Sequence, residues 1–152
     1  MFALRIYRVA HTLHQWRVPL LPWLLKSLNR ILFAVVLPPS AVIGKNVILS
    51  YEGLGTVIHR RAVIGDGAII GSGVTIGGRS GSIGVPVIGT GAMIGSGAKV
   101  LGDVRVGAYA SVGANAVVLG DVPDYAVAVG VPAKVVRINA PDDVPDYRGF
   151  QA

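Results

Sequence analysis

An aliphatic side chain recurs every six residues through the middle of this sequence, and this spacing constrains the fold more than any other feature. The series begins at Ile58 and stays in phase to Val118, with Ser82 as the one interruption. Its aliphatic members are Ile58, Ile64, Ile70, Ile76, Ile88, Ile94, Val100, Val106, Val112 and Val118. A period of six fits neither an amphipathic helix nor the alternation of a simple strand.

A second position of the repeat, four residues after the aliphatic one, carries mostly small side chains. These are Ala62, Ala68, Val74, Ser80, Ala92, Ala98, Val104, Ala110, Ala116 and Val122. Glycine follows most of the aliphatic positions. The pattern predicts coils of three short strands, turned by glycines, whose inward side chains stack into one continuous core. Since such a coil uses about 18 residues, residues 41–131 predict about five coils of a parallel β-helix in an all-β chain.

Two segments depart from the repeat. Ile43 and Ile58 are 15 residues apart, which is not a multiple of six, so residues 51–55 (YEGLG) must bulge from the coil. Residues 77–87 (GGRSGSIGVPV) have no repeat character and predict an excursion. Irregular loops on a rigid scaffold are where functional sites tend to lie.

Composition excludes several classes of protein. Apolar residues make up 52% of the chain and charged residues 14%, which excludes disorder. There is no cysteine, and His11, His14 and His59 are too scattered to predict a metal site. The net charge of +6 comes almost wholly from residues 1–40, which hold five basic side chains and no acid. Without a basic β-helix or an aromatic platform, nucleic-acid binding is not predicted.

Residues 1–37 predict two or three short helices that end at Pro38-Pro39. One predicted helical face is apolar and comprises Leu24, Leu25, Leu28, Ile31, Leu32 and Val35. This arm is expected to cover the open end of the β-helix; the alternative is that it rests on an anionic membrane. No apolar run is long enough to span a bilayer, so the expected location is the cytoplasm, or the inner face of the membrane under the alternative. Residues 139–152 predict an extended tail.

Three motifs of the repeat region resemble the hexapeptide-repeat acyltransferases, and within them the serine acetyltransferase branch. They are VTIGG at 74–78, IGSGAKVLG at 94–102 and GVPAKVVR at 130–137, and the resemblance covers residues 38–138. It implies a left-handed β-helix, a homotrimer, and acetyl-CoA held in the groove between neighbouring subunits. It implies no metal.

The chain departs from serine acetyltransferases at both signature histidines. Tyr51-Glu52 stands where they have an Asp-His pair, and Val85-Pro86 stands where a second histidine precedes the proline. The phrase YEGLGTVIH resembles relatives encoded with cell-surface polysaccharide enzymes. The expected function is therefore O-acetylation of a hydroxyl on a sugar of a polysaccharide precursor. The alternatives are O-acetylation of L-serine for cysteine biosynthesis, and a non-catalytic β-helix that binds or scaffolds.

His59 and Glu52 are the predicted catalytic residues. Transfer of an acyl group to a hydroxyl needs a base of near-neutral pKa, and His59 is the single histidine of the repeat region. Glu52 is predicted to orient its imidazole as a carboxylate does in a triad. The competing interpretations are a structural corner residue and a solvated loop acid.

Six further residues are predicted to bind the cofactor. Gly77 and Gly78 would let the backbone approach a ligand closely, and Arg79 would meet a phosphate or an acidic acceptor. By resemblance, Ser96 and Ala114 line the groove for the pantetheine arm, and Lys134 would pair with CoA phosphates. For these residues, ordinary coil packing or solvent exposure is the alternative.

Overall fold

The computed structural model describes residues 1–144, which form a three-sided parallel β-helix preceded by a helical hairpin. The hairpin consists of α1 (Phe2–Gln15) and α2 (Leu21–Phe33). The predicted tail at 139–152 includes residues 145–152, which lie outside the described part, and a short 3-10 turn spans Pro141–Asp143.

The strands form three faces. Face 1 consists of β1 (Val42–Ile43), β4 (Val63–Ile64), β7 (Val87–Ile88) and β10 (Arg105–Val106). Face 2 consists of β2 (Ile48–Leu49), β5 (Ile69–Ile70), β8 (Met93–Ile94), β11 (Ser111–Val112), β13 (Ala126–Val129) and β14 (Lys134–Ile138). Face 3 consists of β3 (Val57–Ile58), β6 (Thr75–Gly77), β9 (Lys99–Leu101) and β12 (Val117–Val118).

The chain visits the faces in the order 1, 2, 3, so β1–β3, β4–β6, β7–β9 and β10–β12 are four complete coils. A bridge from Val106 to Val122 on face 1 and the strand β13 on face 2 add two sides of a fifth. The predicted left-handed parallel β-helix is confirmed, with a coil count close to the expected five. β14 instead runs antiparallel to β13, so the stack ends in a hairpin, which the repeat did not predict.

The repeat builds the core as predicted. All ten aliphatic positions of the series are buried, and so is every small position except Ser80, which lies exposed in the excursion. Equivalent side chains lie in register from coil to coil, as in the pairing of Ile70 with Ile94. Each buried isoleucine contributes about 1.5–3 kcal/mol through the removal of its surface from water.

The repeat glycines serve stacking rather than turning. A Cβ on Gly71 would lie 2.5 Å from the amide nitrogen of Ser96 in the next coil, and one on Gly95 would lie 2.6 Å from that of Ala114. The positive φ of these turns falls two residues later, as at Gly97 (φ +75°). Glycine is therefore required after the aliphatic residue at these positions, because successive coils approach too closely to leave room for a side chain.

Helix α1 covers the first coil. Ala3, Leu4 and Tyr7 join the buried core, and the Tyr7 hydroxyl donates a 2.7 Å hydrogen bond to the Ala41 carbonyl. The Arg8 guanidinium donates to carbonyl oxygens of the same coil edge. The expected covering of the open end is thus carried out by α1.

Helix α2 packs through its less apolar side. Its buried residues are Pro22 and Asn29, and the Asn29 amide donates a 3.0 Å hydrogen bond to the Ala3 carbonyl in α1. Most of the predicted apolar face points outward, with Leu24 65% and Ile31 80% exposed. Its last member, Val35, instead follows the end of α2 and is buried in the core of the β-helix. Within residues 1–144, no helix has the length and apolarity needed to cross a membrane.

Candidate functional site

His59 lies at the turn from face 3 to face 1, here called corner 3–1. Its amide donates to the Ile76 carbonyl at 2.8 Å, which ties the first coil to the second. It occupies the repeat position that holds glycine at most turns, although Leu101 and Leu119 stand at this position in the third and fourth coils. Corner 3–1 has room for a side chain, because a Cβ on Gly77 in the next coil would come no closer than 3.5 Å to the Thr75 side chain.

The imidazole of His59 is half-buried and lies among cations. Its Nδ1 accepts a 3.2 Å hydrogen bond from the Arg61 amide, which selects the neutral tautomer that carries its proton on Nε2. Partial burial lowers the pKa of His59, and the charges of Arg61 and Arg60 lower this pKa further. The ring is therefore neutral near pH 7, the state that a general base requires.

The excursion after β6 is pinned beside this imidazole. The Arg61 guanidinium donates to the Ile83 carbonyl at 2.5 Å. The Ser82 amide donates to the Arg79 carbonyl at 3.1 Å, and the Ser82 hydroxyl accepts from the Asp103 amide at 3.3 Å. Sequence reasoning did not single out Arg61, whose one signal was its position two residues after the candidate base.

Gly77, Gly78 and Arg79 are brought to the same corner as His59. Around Gly78 an added Cβ would meet nothing within 4 Å, so this stretch of backbone is open to a ligand. Arg79 is exposed, and its aliphatic stem lies over Gly102 of the third coil, where an added Cβ would be 3.1 Å from the Arg79 Cβ. The guanidinium is thus supported at its base on the outer surface of the corner.

Glu52, Ser96 and Ala114 lie at the turn from face 2 to face 3, here called corner 2–3. The Glu52 carboxylate accepts a 2.8 Å hydrogen bond from the Ala3 amide, and it lies 3.7 Å from the amino group of Met1. The partners of this carboxylate in residues 1–144 are therefore at the start of α1. Strand β3 separates it from His59 within the chain.

The remaining predicted cofactor residues are exposed. Ser96 accepts a long hydrogen bond from the Ser72 hydroxyl at 3.5 Å, and Ala114 stacks above it in the next coil. Lys134 begins β14 on face 2, where it pairs with Val129 at the end of β13. Apart from Lys134, the predicted residues thus form two groups that flank face 3, one at corner 3–1 and one at corner 2–3. In the described part of the chain, no group of three His, Asp or Glu side chains could hold a metal ion.

The stacked coils define the class of protein. Residues 86–120 match the family model described as bacterial transferase hexapeptide (six repeats). This segment comprises β7 to β12, the two most regular coils.

Within this class, the chain is similar to serine acetyltransferases. It is 43% identical over 76 residues to the serine acetyltransferase of Synechococcus elongatus, a match that covers 50% of this chain and 31% of that protein. The structure of Brucella abortus serine acetyltransferase in complex with coenzyme A matches with a TM-score of 0.86 and 34% identity, over 91% of this chain and 56% of that one. The soybean enzyme complexed with serine matches with a TM-score of 0.82 and 41% identity, over 88% and 56%.

The resemblance to the serine acetyltransferase branch of the hexapeptide-repeat acyltransferases is thereby confirmed. The chain nevertheless spans only about a third of the length of the Synechococcus relative and just over half of the two structures.

Proposed function

We propose that this protein is an acetyl-CoA-dependent O-acetyltransferase, with L-serine as the favoured acceptor. The observation that carries the proposal is the match of about nine-tenths of the chain to structures of serine acetyltransferases, one in complex with coenzyme A and one with serine. The sequence-based expectation of a sugar acceptor has no support among these relatives. It is therefore replaced by the serine alternative.

In the proposed reaction, His59 takes the proton of the acceptor hydroxyl as its oxygen attacks the thioester carbonyl. The tetrahedral intermediate then expels the CoA sulfur, which recovers the proton from the imidazolium. The products are the O-acetyl ester and free CoA. Backbone amides of the open Gly77–Gly78 segment are the proposed donors to the oxyanion.

The ring of His59 must present an unprotonated nitrogen to the acceptor. In the tautomer selected by the Arg61 amide, Nδ1 accepts that hydrogen bond and Nε2 carries the ring proton. Neither nitrogen can then take a proton from the acceptor. A turn of the ring breaks one hydrogen bond of 3.2 Å and exposes the Nδ1 lone pair. This contact is near the long limit for such bonds, so acceptor binding can offset its loss.

The two groups of predicted residues suit a cofactor that lies along face 3 in a groove completed by a second subunit of a homotrimer. In this arrangement, Ser96 and Ala114 offer small side chains and backbone groups to the pantetheine arm. Lys134 would attract the CoA phosphates. Glu52 and His59 of one chain lie on opposite sides of face 3. Glu52 would therefore assist only the base of a neighbouring subunit that approaches corner 2–3.

The test is an acceptor panel with the full chain, acetyl-CoA, L-serine and a set of sugars. Release of the CoA thiol would be followed together with mass spectrometry of the acetylated product. We expect O-acetylserine. Sugar esters without O-acetylserine would overturn the acceptor, and CoA binding without turnover on any acceptor would favour the non-catalytic alternative.

A further inference from the structure

We propose that the outward face of α2 docks this protein on a membrane surface rich in anionic phospholipid. This outward face consists of Leu21, Leu24, Leu28, Ile31 and Leu32. The inference goes beyond the proposed function and does not depend on it.

The outward face of α2 is a continuous apolar stripe on the solvent side of the molecule. Its residues recur at spacings of three and four, so they share one side of the helix. The buried residues, Pro22 and Asn29, lie on a different side, which packs on α1. Five large aliphatic side chains, each at least 40% exposed, are more than a small protein normally leaves in water without a partner.

The net charge of the helical hairpin indicates lipid headgroups as the partner of this face. Arg5, Arg17, Lys26 and Arg30 are carried by the same hairpin or its turn, and the first acidic residue of the chain is Glu52. The Glu52 carboxylate is itself engaged at the start of α1. An anionic surface complements the net positive charge of such a hairpin.

One of the two tryptophans is placed to reach the same surface. Trp16 lies in the turn between the helices and is 73% exposed. Tryptophan favours the boundary between hydrocarbon and headgroups. With 13 residues, α2 is about 20 Å long, too short to span a bilayer, so it would lie in the plane of the interface.

The first experiment is vesicle flotation of the full chain. We expect the protein to float with vesicles of phosphatidylcholine and phosphatidylglycerol and to stay at the bottom with phosphatidylcholine alone. Because the chain has only two tryptophans, a change in the environment of Trp16 should be detectable as a blue shift of the emission on binding the anionic vesicles. Failure to float with either vesicle, or equal flotation with both, would overturn the proposal.

Two variants and a control locate the contact. Leu24→Glu with Ile31→Glu should weaken vesicle binding by at least about tenfold. Arg17→Gln with Arg30→Gln should weaken it by about fivefold for each charge removed. Val136→Glu, a 61% exposed position on β14 at the opposite end of the β-helix, should leave flotation unchanged.

Sedimentation velocity of the same proteins distinguishes a protein partner from a lipid surface. If the unmodified chain does not float, and its self-association is abolished by Leu24→Glu with Ile31→Glu, the outward face of α2 is an interface between copies and the proposal is wrong. Circular dichroism of each variant confirms that the helices remain folded. Since no readout involves acetyl transfer, failure here leaves the proposed function untouched.

Discussion

At the scale of single residues, the proposed chemistry depends on the imidazole of His59. His59→Ala should lower turnover by about two to four orders of magnitude, the usual contribution of a general base. The fold should persist, because the side chain makes one long hydrogen bond and lies at a corner with room for other residues. Thiol release measures the effect, with His14→Ala on the exposed side of α1 as the matched control. Near-normal turnover in the His59 variant would exclude the ring as the base.

The pH dependence of the reaction should reflect the lowered pKa of His59. The base must be neutral, so kcat/KM should fall as the pH drops through the folded-state pKa, and the midpoint should lie below the ordinary histidine value of about 6.5. Arg61→Gln removes one of the charges that lower this pKa, so the midpoint should move up. Burial of the ring, the largest cause, remains, so the shift should be partial. A midpoint unmoved by Arg61→Gln would show that this charge does not act on the titrating group.

The residues of the site differ in how far the sequence could predict them. His59 could be proposed from the sequence because its chemistry follows from its residue type, and its catalytic role stays a prediction. Arg61 could not be proposed, because its role rests on a contact with the Ile83 carbonyl across 22 residues of sequence. Glu52 was assigned to the imidazole by its place in a motif, yet its observed contacts are with α1. Such side-chain contacts depend on which corner a residue occupies, and the repeat leaves this undetermined where a bulge interrupts it.

At the scale of elements, the corners of the coil differ in how tightly they stack. Gly95→Ala would force a Cβ to within 2.6 Å of the Ala114 amide, so it should destabilise the fold by about 1–3 kcal/mol, the usual cost of overpacking. Gly77→Ala meets only ordinary contacts and should leave the free energy of unfolding unchanged. If the backbone at Gly77 approaches a bound ligand, this substitution should instead raise the KM for acetyl-CoA. Urea unfolding and steady-state kinetics separate the two effects, and equal destabilisation by both substitutions would contradict the distinction.

The attachment of α1 depends on the predicted bulge after β2, where the structure has a 3-10 turn at Ser50–Gly53 that includes Glu52. Glu52→Ala removes the acceptor of the Ala3 amide and a negative charge at a helix N-terminus, so it should cost about 0.5–2 kcal/mol of stability. Urea unfolding measures the loss. Glu52→Gln keeps an acceptor oxygen and should cost less. If both variants were as stable as the unmodified chain, this contact would have no part in holding the helix.

Sequence periodicity predicts the helices but does not predict which helix packs on the core. The apolar periodicity of α2 was predicted correctly, but amphipathicity does not specify what covers the apolar face. In this chain the core needed only one helix as a cover, and α1 supplies it with Leu4 and Tyr7. The second helix is held by Asn29 and Pro22, which carry no periodic signal.

At the scale of the whole molecule, the six-residue period predicted the stacked coils, and the resemblance to hexapeptide-repeat acyltransferases added their left hand. Stacked coils bury equivalent residues in every turn, so a local pattern repeated ten times specifies a long-range arrangement. The prediction missed the end of the stack, where Lys134–Ile138 turns back as β14. All side chains of β14 are exposed, so the sequence has no alternation of buried and exposed positions that would predict this strand.

The outer surface of face 1 carries exposed valines that favour assembly with other copies of the chain. Val42, Val63 and Val87 lie in register on successive coils and are 51%, 38% and 37% exposed, which makes an apolar ladder on a flat, rigid side. A ladder of this kind is best removed from water by another copy of the chain, and the homotrimer of the proposed function would cover it in all three chains. We therefore expect a particle of about 47 kDa by sedimentation equilibrium, three times the 15.7 kDa of the chain.

Val63→Glu places a carboxylate in the middle of the ladder, so it should yield folded monomers. These monomers should have lost turnover, because the proposed groove along face 3 needs a neighbouring subunit. A fully active monomer would mean that one chain holds the entire site, and the division of the predicted residues between two corners would then need another explanation.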